Sequence, residues 1–204
     1  NPNLYSDFTG QEALWNPVEE LKLEQNGGET KLLDWDATVK LNLLPLLAKD
    51  GHSIHSLSTQ LTFADQQSDN FDYWFRPSTS RLAMKNDYKG EASRTYSKYR
   101  QHSLEWLGNY AMELKGHRAR AMVGYSYQYF QNSGLNAANK DFSSDGLLYN
   151  NLGSGEWAKE EGRNEMGTNK SDSKLIAFFG RLSYDYKNRY LMTASLRYEG
   201  SSRF

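Results

Sequence analysis

The feature that most limits how this chain can fold is a regular alternation of apolar and polar residues. From Ser103 to Leu114, every second side chain is apolar or glycine, and most residues between them are polar. The same alternation resumes after Lys115-Gly116 and continues to Tyr129. A period of two residues is that of a β-strand, whose side chains point to opposite faces in turn. Two alternating runs separated by two residues therefore predict a β-hairpin.

Two other pairs of runs show the same period. One lies between 31 and 64, with a turn near Pro45 to Gly51, and the other lies between 173 and 202, with a turn at Lys187-Asn188. The pair described first occupies 102–131. We therefore predict an all-β chain of about six antiparallel strands in three hairpins.

The apolar faces of the last two hairpins are rich in large side chains. We assign to these faces Leu104, Trp106, Tyr110, Met112, Val123, Tyr125, Phe178, Leu182, Tyr184, Tyr190, Met192 and Leu196. The opposite faces are mostly polar, as at Arg181, Ser183 and Asp185. Such strands fit either a soluble β-sandwich, with the apolar faces between two sheets, or a membrane β-barrel, with lipid outside and water inside.

The mean hydropathy of the chain is -0.82, although 14% of its residues are aromatic. A membrane helix needs about 20 consecutive apolar residues, and the apolar runs here are only a few residues long, so the sequence excludes membrane helices. A transmembrane barrel is compatible with low mean hydropathy because its strands have a polar inner face and its loops are hydrophilic. The net charge of -1 gives no sign of nucleic-acid binding, and the lack of cysteine excludes disulfides.

The connections between the predicted strands alternate in length. Short turns lie near 45–51, 115–116 and 187–188, and long polar connections cover 65–101, 132–172 and residues 1–30. This asymmetry is typical of outer-membrane barrels, which have short periplasmic turns and long extracellular loops. Compact soluble domains rarely keep structureless connections longer than about 15 residues. We therefore predict transmembrane barrel strands, with the long connections as extracellular loops.

Tyrosines cluster near both ends of the predicted strands. Tyr184, Tyr186 and Tyr190 lie beside a short turn. Toward a long connection lie Tyr125, Tyr127 and Tyr129. Tyrosine is enriched where a membrane meets water. We therefore expect the tyrosines to form the two aromatic girdles of a barrel.

The sequence contains no constellation of catalytic residues. His52 and His55 are three residues apart, so on a strand they point to opposite faces and cannot chelate one metal ion. No nucleophile elbow, Walker A loop or dinucleotide-binding motif occurs. Asp141 and Asp145 offer carboxylates in a loop, but their spacing differs from that of an EF-hand. We predict no enzymatic activity, metal or cofactor.

Four aromatic residues fall in the predicted long loops. They are Tyr73, Trp74, Phe75 and Trp157. Aromatic rings in a loop either stack on a ligand or partner, or hold the loop against itself. These residues are our candidates for contacts with a substrate or a partner.

The last hairpin resembles a known family. It contains the runs Phe179-Gly-Arg-Leu-Ser-Tyr184, Tyr186-Lys-Asn-Arg-Tyr-Leu-Met-Thr-Ala-Ser-Leu-Arg197 and Gly200-Ser-Ser-Arg-Phe204. These runs resemble the barrel signature of the SusC/RagA-like TonB-dependent transporters of the Bacteroidetes. Asn139-Lys-Asp-Phe142 and Leu148-Tyr-Asn-Asn-Leu152 are similar to the loop that precedes that hairpin in the family.

The resemblance implies a barrel of about 22 strands in the cell outer membrane, with a plug inside it. It also implies nutrient uptake, with an oligosaccharide or a peptide as the substrate. The implied partners are a SusD-like surface lipoprotein, outer-membrane lipid, and the TonB-ExbB-ExbD system, which acts through a plug that this chain lacks. It implies no contact with nucleic acid.

Two alternatives remain open beside a barrel segment. The smallest membrane barrels have about eight strands, so a complete small barrel with a structural or adhesive role needs two more strands than we predict. Only the stretch from Leu21 to Glu24 is available for them. The other alternative is a soluble β-sandwich binding module. We favour a segment of a larger barrel because six strands leave open edges, and the unpaired backbone N–H and C=O groups there have no hydrogen-bond partner in lipid.

Overall fold

The computed structural model of the chain describes residues 17–44 and 55–203. Its helices are α1 (Pro17–Leu23) and α2 (Arg81–Lys85), and its strands are β1 (Gln25–Asn42), β2 (His55–Arg76), β3 (Glu91–Leu114), β4 (His117–Lys140), β5 (Met166–Tyr186) and β6 (Tyr190–Ser201). Short 3-10 helices follow β4 at Asp145–Asn150, Leu152–Ser154 and Trp157–Lys159. The strands form one open sheet in the order β1-β2-β3-β4-β5-β6. This sheet confirms the prediction of six antiparallel strands.

The strands extend beyond the predicted hairpins. β2 continues to Arg76 and β3 begins at Glu91, so strand residues occupy much of the predicted loop 65–101. β4 continues to Lys140 and β5 begins at Met166, which shortens the predicted loop 132–172 in the same way. The connections are therefore 77–90 and 141–165. The prediction of two structureless loops of roughly 40 residues is wrong.

The reason for this difference is physical. Alternation reveals a strand only where one face is apolar. From Asp65 to Asn70 every side chain on both faces is polar. The sequence signal therefore fades there, while the hydrogen bonds between neighbouring strands continue.

The predicted loop 1–30 contains α1 and the start of β1. Residues 1–16, the predicted turn near Pro45 to Gly51, and His52 lie outside the described residues. Leu21 to Leu23 belong to α1, so this stretch is helical and does not supply the strand that a small complete barrel needs. No helix in the described parts of the chain is long and apolar enough to cross a membrane.

The chain divides into two compact units. The first unit holds the described residues up to Lys31, together with Asp69–Lys98 and Ser133–Lys170. The second unit holds the described residues of Leu32–Ser68, together with Tyr99–Asn132 and 171–203. The strands of both units belong to one sheet, whereas the β-sandwich alternative needs two packed sheets.

In the second unit, the register of β5 and β6 places the apolar residues of both strands on one face. Phe178 pairs with Tyr198, and Tyr184 pairs with Met192. On the other face, Arg181 pairs with Ser195 and Ser183 pairs with Thr193, polar with polar. The alternation that the sequence shows is therefore matched across the two strands.

A glycine allows close packing on the opposite face of the second unit. Gly124 in β4 is buried, and a Cβ atom at this position would overlap the ring of Phe179 and lie 3.0 Å from Cδ2 of Leu107. The guanidinium of Arg197 lies 5.8 Å from the centroid of the Phe179 ring. Glycine weakens a strand in general, but here it makes room for an aromatic ring.

The first unit has a small apolar core of its own. Phe75, which is only 2% exposed, packs with Ala92 and Phe142. Leu148 and Leu152, from the connection 141–165, pack against this cluster. The core therefore ties that connection to the strand ends of the same unit.

We predict that Gly124→Ala destabilises the folded protein by about 1–3 kcal/mol, because the added methyl group displaces the Phe179 ring. The matched control is Gly180→Ala in β5, where the nearest atom to an added Cβ is the Met122 carbonyl oxygen at 3.5 Å. The measurement is the urea midpoint of the full-length protein in detergent. Equal midpoints for the two variants would contradict the packing argument, and Phe179→Leu should restore part of the loss in the Gly124 variant.

Candidate ligand-binding site

The connection 141–165 in the first unit is organised by one buried amide. Nδ2 of Asn139, a residue that is 5% exposed, donates to the carbonyl oxygens of Leu152 at 2.8 Å and Gly155 at 2.9 Å. Its Oδ1 accepts from the backbone N–H groups of Lys140 at 2.8 Å and Ala158 at 3.0 Å. One side chain at the end of β4 thus satisfies four backbone groups and sets the path of the connection.

Two carboxylates fasten the connections 77–90 and 141–165 to each other. Asp145 accepts from the backbone N–H of Ser78 at 3.0 Å and from its hydroxyl at 2.7 Å. Asp141 accepts from the backbone N–H of Lys89 at 2.8 Å. These aspartates were the loop carboxylates considered for calcium, and their oxygens bond to protein donors. Within the described ranges, no group of three or more His, Cys, Asp or Glu side chains is placed to hold a metal ion.

A network of charged groups lies at the strand ends of the first unit. Arg76 pairs with Glu24 through Nη2 and Oε1 at 2.5 Å, and with Glu91 through Nη1 and Oε2 at 3.2 Å. Nη1 also donates to the hydroxyl of Tyr88 at 3.0 Å, and that hydroxyl donates to Glu91 at 2.9 Å. Burial raises the pKa of Tyr88, so the phenol keeps the proton that it donates. All these polar groups have partners.

Lys140 extends this network toward an indole ring. Its Nζ lies 3.2 Å from Oε1 of Glu91 and 3.5 Å from Oε1 of Glu165. It also lies 5.4 Å from the ring centroid of Trp157. The guanidinium of Arg163 is 5.2 Å from the same centroid. Trp157 is therefore held next to two cations, an arrangement that cation–π attraction favours.

These residues surround a cavity of about 670 Å³ in the first unit. Its lining consists of Arg76, Asn86, Asp87, Tyr88, Glu91, Lys140, Asp141, Trp157, Glu160 and Arg163. A volume of this size is typical of small-molecule sites. The lining offers acids, cations and one amide for hydrogen bonds, and one indole for stacking, so it suits a polar ligand rather than an apolar one.

The four predicted contact residues lie in different environments. Trp157 lines this cavity. Trp74 is half-buried, donates from Nε1 to Glu24 at 3.4 Å and lies beneath the Arg76 guanidinium. Tyr73 stacks on Tyr149 with 3.8 Å between the ring centroids.

The prediction is wrong for Phe75, because this ring is buried in the core of the first unit and is not accessible to a ligand. Its neighbours Tyr73 and Trp74 also lie on β2 rather than in a loop. The sequence reasoning missed Arg76, Tyr88 and Lys140. A sequence signal for Lys140 was present, since this residue lies in the Asn139-Lys-Asp-Phe142 run that carries the family resemblance.

The residues assigned to the apolar face lie in the second unit, and many are exposed. The largest exposed side chains among them are Trp106, Tyr110, Val123, Phe178, Leu182, Tyr190, Met192 and Leu196. Leu104, Met112, Tyr125 and Tyr184 are half-buried. Phe178 is 56% exposed and Leu196 is 78% exposed. Exposed apolar surfaces of this kind mark contact sites for other proteins, membranes or ligands.

Polar atoms on this face bond to one another. Nε1 of Trp106 donates to Oγ1 of Thr59 at 2.8 Å. The hydroxyl of Tyr110 lies 2.7 Å from Nδ1 of His55, and that of Tyr184 lies 2.6 Å from Nδ1 of His117. These side chains therefore have hydrogen-bond partners within the protein.

We predict that Asn139→Ala loosens the connection 141–165, because several buried backbone groups lose their partner at a cost of about 1–3 kcal/mol. Amide hydrogen exchange of the full-length protein should show faster exchange at Gly155 and Ala158. Asn151→Ala, at an exposed position of the same connection, is the control and should leave exchange there unchanged. Equal protection in both variants would contradict the assigned role of Asn139.

No family model matches the chain. Among curated proteins, it is 37% identical over 91 residues to the TonB-dependent receptor P39 of Formosa agariphila, which covers 43% of this chain and 8% of that protein. It is 30% identical over 115 residues to the TonB-dependent receptor P3 of the same organism, a match that covers 56% of this chain and 11% of that protein. A stretch of 30 residues is 57% identical to the TonB-dependent receptor SusC of Bacteroides thetaiotaomicron, and it covers 15% of this chain and 3% of that protein. The matched segments are thus about a tenth of these relatives or less.

Among solved structures, the chain resembles the RagAB peptide transporter, with a TM-score of 0.65 and 17% identity over 98% of this chain and 21% of that chain. The open-open state of the RagAB peptide importer gives a TM-score of 0.70 at 17% identity, over 98% of this chain and 20% of that chain. At this identity the likeness concerns the fold. Together with the sequence relatives, it confirms the resemblance to the SusC/RagA-like TonB-dependent transporter family, in which this chain corresponds to a segment of the β-barrel.

Proposed function

We propose that the chain is part of a TonB-dependent importer that takes up nutrients across the bacterial outer membrane. The observation that carries this proposal is the exposed apolar face of the second unit. Leu196 and Met192 on β6 and Phe178 on β5 lie on one face and are exposed. Burial of large apolar side chains in lipid stabilises each of them by about 1.5–3 kcal/mol relative to water. The names of the sequence relatives support the same function.

The open sheet adds a second line of support. Among the residues that the structure describes, β1 and β6 each have one neighbour in the sheet, so each has an unpaired edge. Unpaired backbone groups are costly in lipid, and only a closed barrel removes both edges. We expect further strands of a larger barrel to pair with β1 and β6.

The lengths of the strands agree with a membrane crossing followed by an extension into water. β3 and β4 have 24 residues each, whereas a tilted transmembrane strand needs about 9–11. We infer that only the part with an apolar face crosses the bilayer. The polar strand ends and the connections of the first unit are then extracellular, as the lengths of the connections also indicate.

The cavity of the first unit is our candidate for contact with the imported substrate, an oligosaccharide or a peptide. Trp157 offers an aromatic surface on which a sugar or a side chain can stack. Glu91 and Lys140 offer charges of both signs, which suits the two ends and the backbone of a short peptide. A SusD-like lipoprotein and the TonB-ExbB-ExbD system are the partners that this function requires.

We predict that Leu196→Arg reduces the amount of folded full-length protein in the outer membrane, because an arginine facing lipid costs about 2–4 kcal/mol near the bilayer centre. The matched control is Ser195→Arg, one residue earlier on the opposite face of β6. Folded protein is measured by its resistance to unfolding in SDS without heating. A Ser195→Arg variant that loses as much folded protein as Leu196→Arg would contradict the lipid-facing assignment.

We also predict that deleting the gene for the full-length protein slows growth on a peptide digest or on a mixture of oligosaccharides as the sole carbon source. Deletion of the TonB gene should produce the same defect, because import is driven through that system. Growth on glucose is the control. Normal growth of the gene deletion on both substrates, with unchanged uptake of labelled peptides and oligosaccharides, would contradict a role in the import of either.

A further inference from the structure

The two short turns of the second unit contact each other. Lys115 and Gly116 form the turn between β3 and β4, with φ angles of 48° and 85°, as a type I′ turn requires. Lys187 and Asn188 begin the turn between β5 and β6, with φ angles of 51° and 57°. The backbone N–H of Lys187 donates to the carbonyl oxygen of Gly116 at 2.7 Å. We call these two turns, with Arg189, the turn surface.

The contact brings cations together. A Cβ atom at Gly116 would lie 3.0 Å from Cγ of Lys187, so the lysine side chain lies against Gly116, the residue that follows Lys115 in the chain. Arg189 follows two residues later in the chain. Within the part of the chain that the structure describes, none of these three cations takes part in an ion pair.

The acids near the turn surface do not neutralise it. Asp185 accepts from Arg118 at 2.7 Å and from the backbone N–H of Asn188 at 2.8 Å, so its charge is balanced by a fourth cation. Glu113, on β3, is the other acid close by in the sequence. Three cations against one acid leave the turn surface with a net positive charge.

Aromatic rings lie directly beside these cations. The ring of His117 is 4.5 Å from that of Tyr186, centroid to centroid, and Tyr186 stacks on Tyr190 at 6.4 Å. Nζ of Lys187 lies 5.1 Å from the Tyr186 centroid. Tyr190 is 69% exposed. Exposed tyrosines next to lysines are the usual composition of a protein at the level of lipid headgroups.

The apolar face continues from these rings. Met192 and Leu196 follow Tyr190 at alternate positions of β6 and are exposed. A groove of about 670 Å³ runs along this face, lined by Phe178, Leu182 and Leu196 among others, with the small residues Gly180 and Ala194. Its mainly apolar lining suits a flexible hydrocarbon chain.

We propose that the turn surface binds the headgroup phosphate of an anionic phospholipid, whose acyl chains lie along the adjacent apolar face. This inference rests on the proposed function, because it needs a bilayer against that face. Lysine and arginine near a membrane surface attract anionic lipids. The order along the second unit is cations, then tyrosines, then apolar groove, which is the order of phosphate, interface and acyl chain in a phospholipid. This match commits the surface to a lipid rather than to a soluble anion.

The test uses the full-length protein in phosphatidylcholine vesicles that contain a few per cent of either brominated phosphatidylglycerol or brominated phosphatidylcholine. Bromine on the acyl chains quenches tryptophan fluorescence on contact, and Trp106 lines the groove. The contribution of Trp106 is the difference in fluorescence quenching between the native protein and the Trp106→Phe variant. We expect the anionic lipid to associate with Trp106 about fivefold or more strongly than the zwitterionic lipid.

The triple variant Lys115→Gln, Lys187→Gln, Arg189→Gln should bring this ratio close to one, with quenching by brominated phosphatidylcholine unchanged. The matched control removes three exposed lysines of the first unit, one of which is ion-paired. It should keep the ratio of anionic to zwitterionic lipid association, and its substitutions are Lys89→Gln, Lys159→Gln and Lys170→Gln. A ratio near one in the native protein, or a ratio that both triple variants lower equally, overturns the inference and leaves the proposed function intact. If neither brominated lipid quenches Trp106, the proposed lipid-facing role itself fails.

Discussion

Backbone pairing between neighbouring strands is the interaction on which both units depend. Each strand of the sheet bonds to the strand before or after it in the chain, so the pairing also decides which side chains share a face. In β5 and β6 the register sets Phe178 beside Tyr198 and Arg181 beside Ser195. A slip of one residue would put the polar side chains of one strand beside the apolar side chains of the other. The separation of an apolar from a polar surface therefore depends on this register.

The two units use different means to hold their side chains. In the second unit, close packing across strands matters, as at Gly124, where the absence of a side chain admits the Phe179 ring. In the first unit, polar groups hold the structure, because its apolar core is small. Asn139, Asp145 and Asp141 each bond to backbone groups of a connection. This bonding gives long polar connections a defined path without a large core.

Sequence reasoning was accurate where one face of a strand is apolar. The hairpin turns at Lys115-Gly116 and at Lys187-Asn188 lie where the alternation indicated. It failed between Asp65 and Asn70, because a strand with polar side chains on both faces has the same composition as a loop. It also failed at Phe75, whose neighbours Ala92 and Phe142 come from distant parts of the chain. Composition alone does not distinguish a buried ring from an exposed one.

The sequence by itself determined the period of the strands, the positions of two short turns, the apolar face, and the family that the chain resembles. These are local properties, since a period of two and a turn at glycine depend on residues next to each other. The tertiary structure alone decided the true strand ends, the cavity around Lys140 and Trp157, and the contact between the turns at Gly116 and Lys187. Each of these joins residues that are far apart in the chain. The pairing of strands brings these residues within reach of one another, and in the first unit the hydrogen bonds of Asn139 also place the connection that carries Trp157.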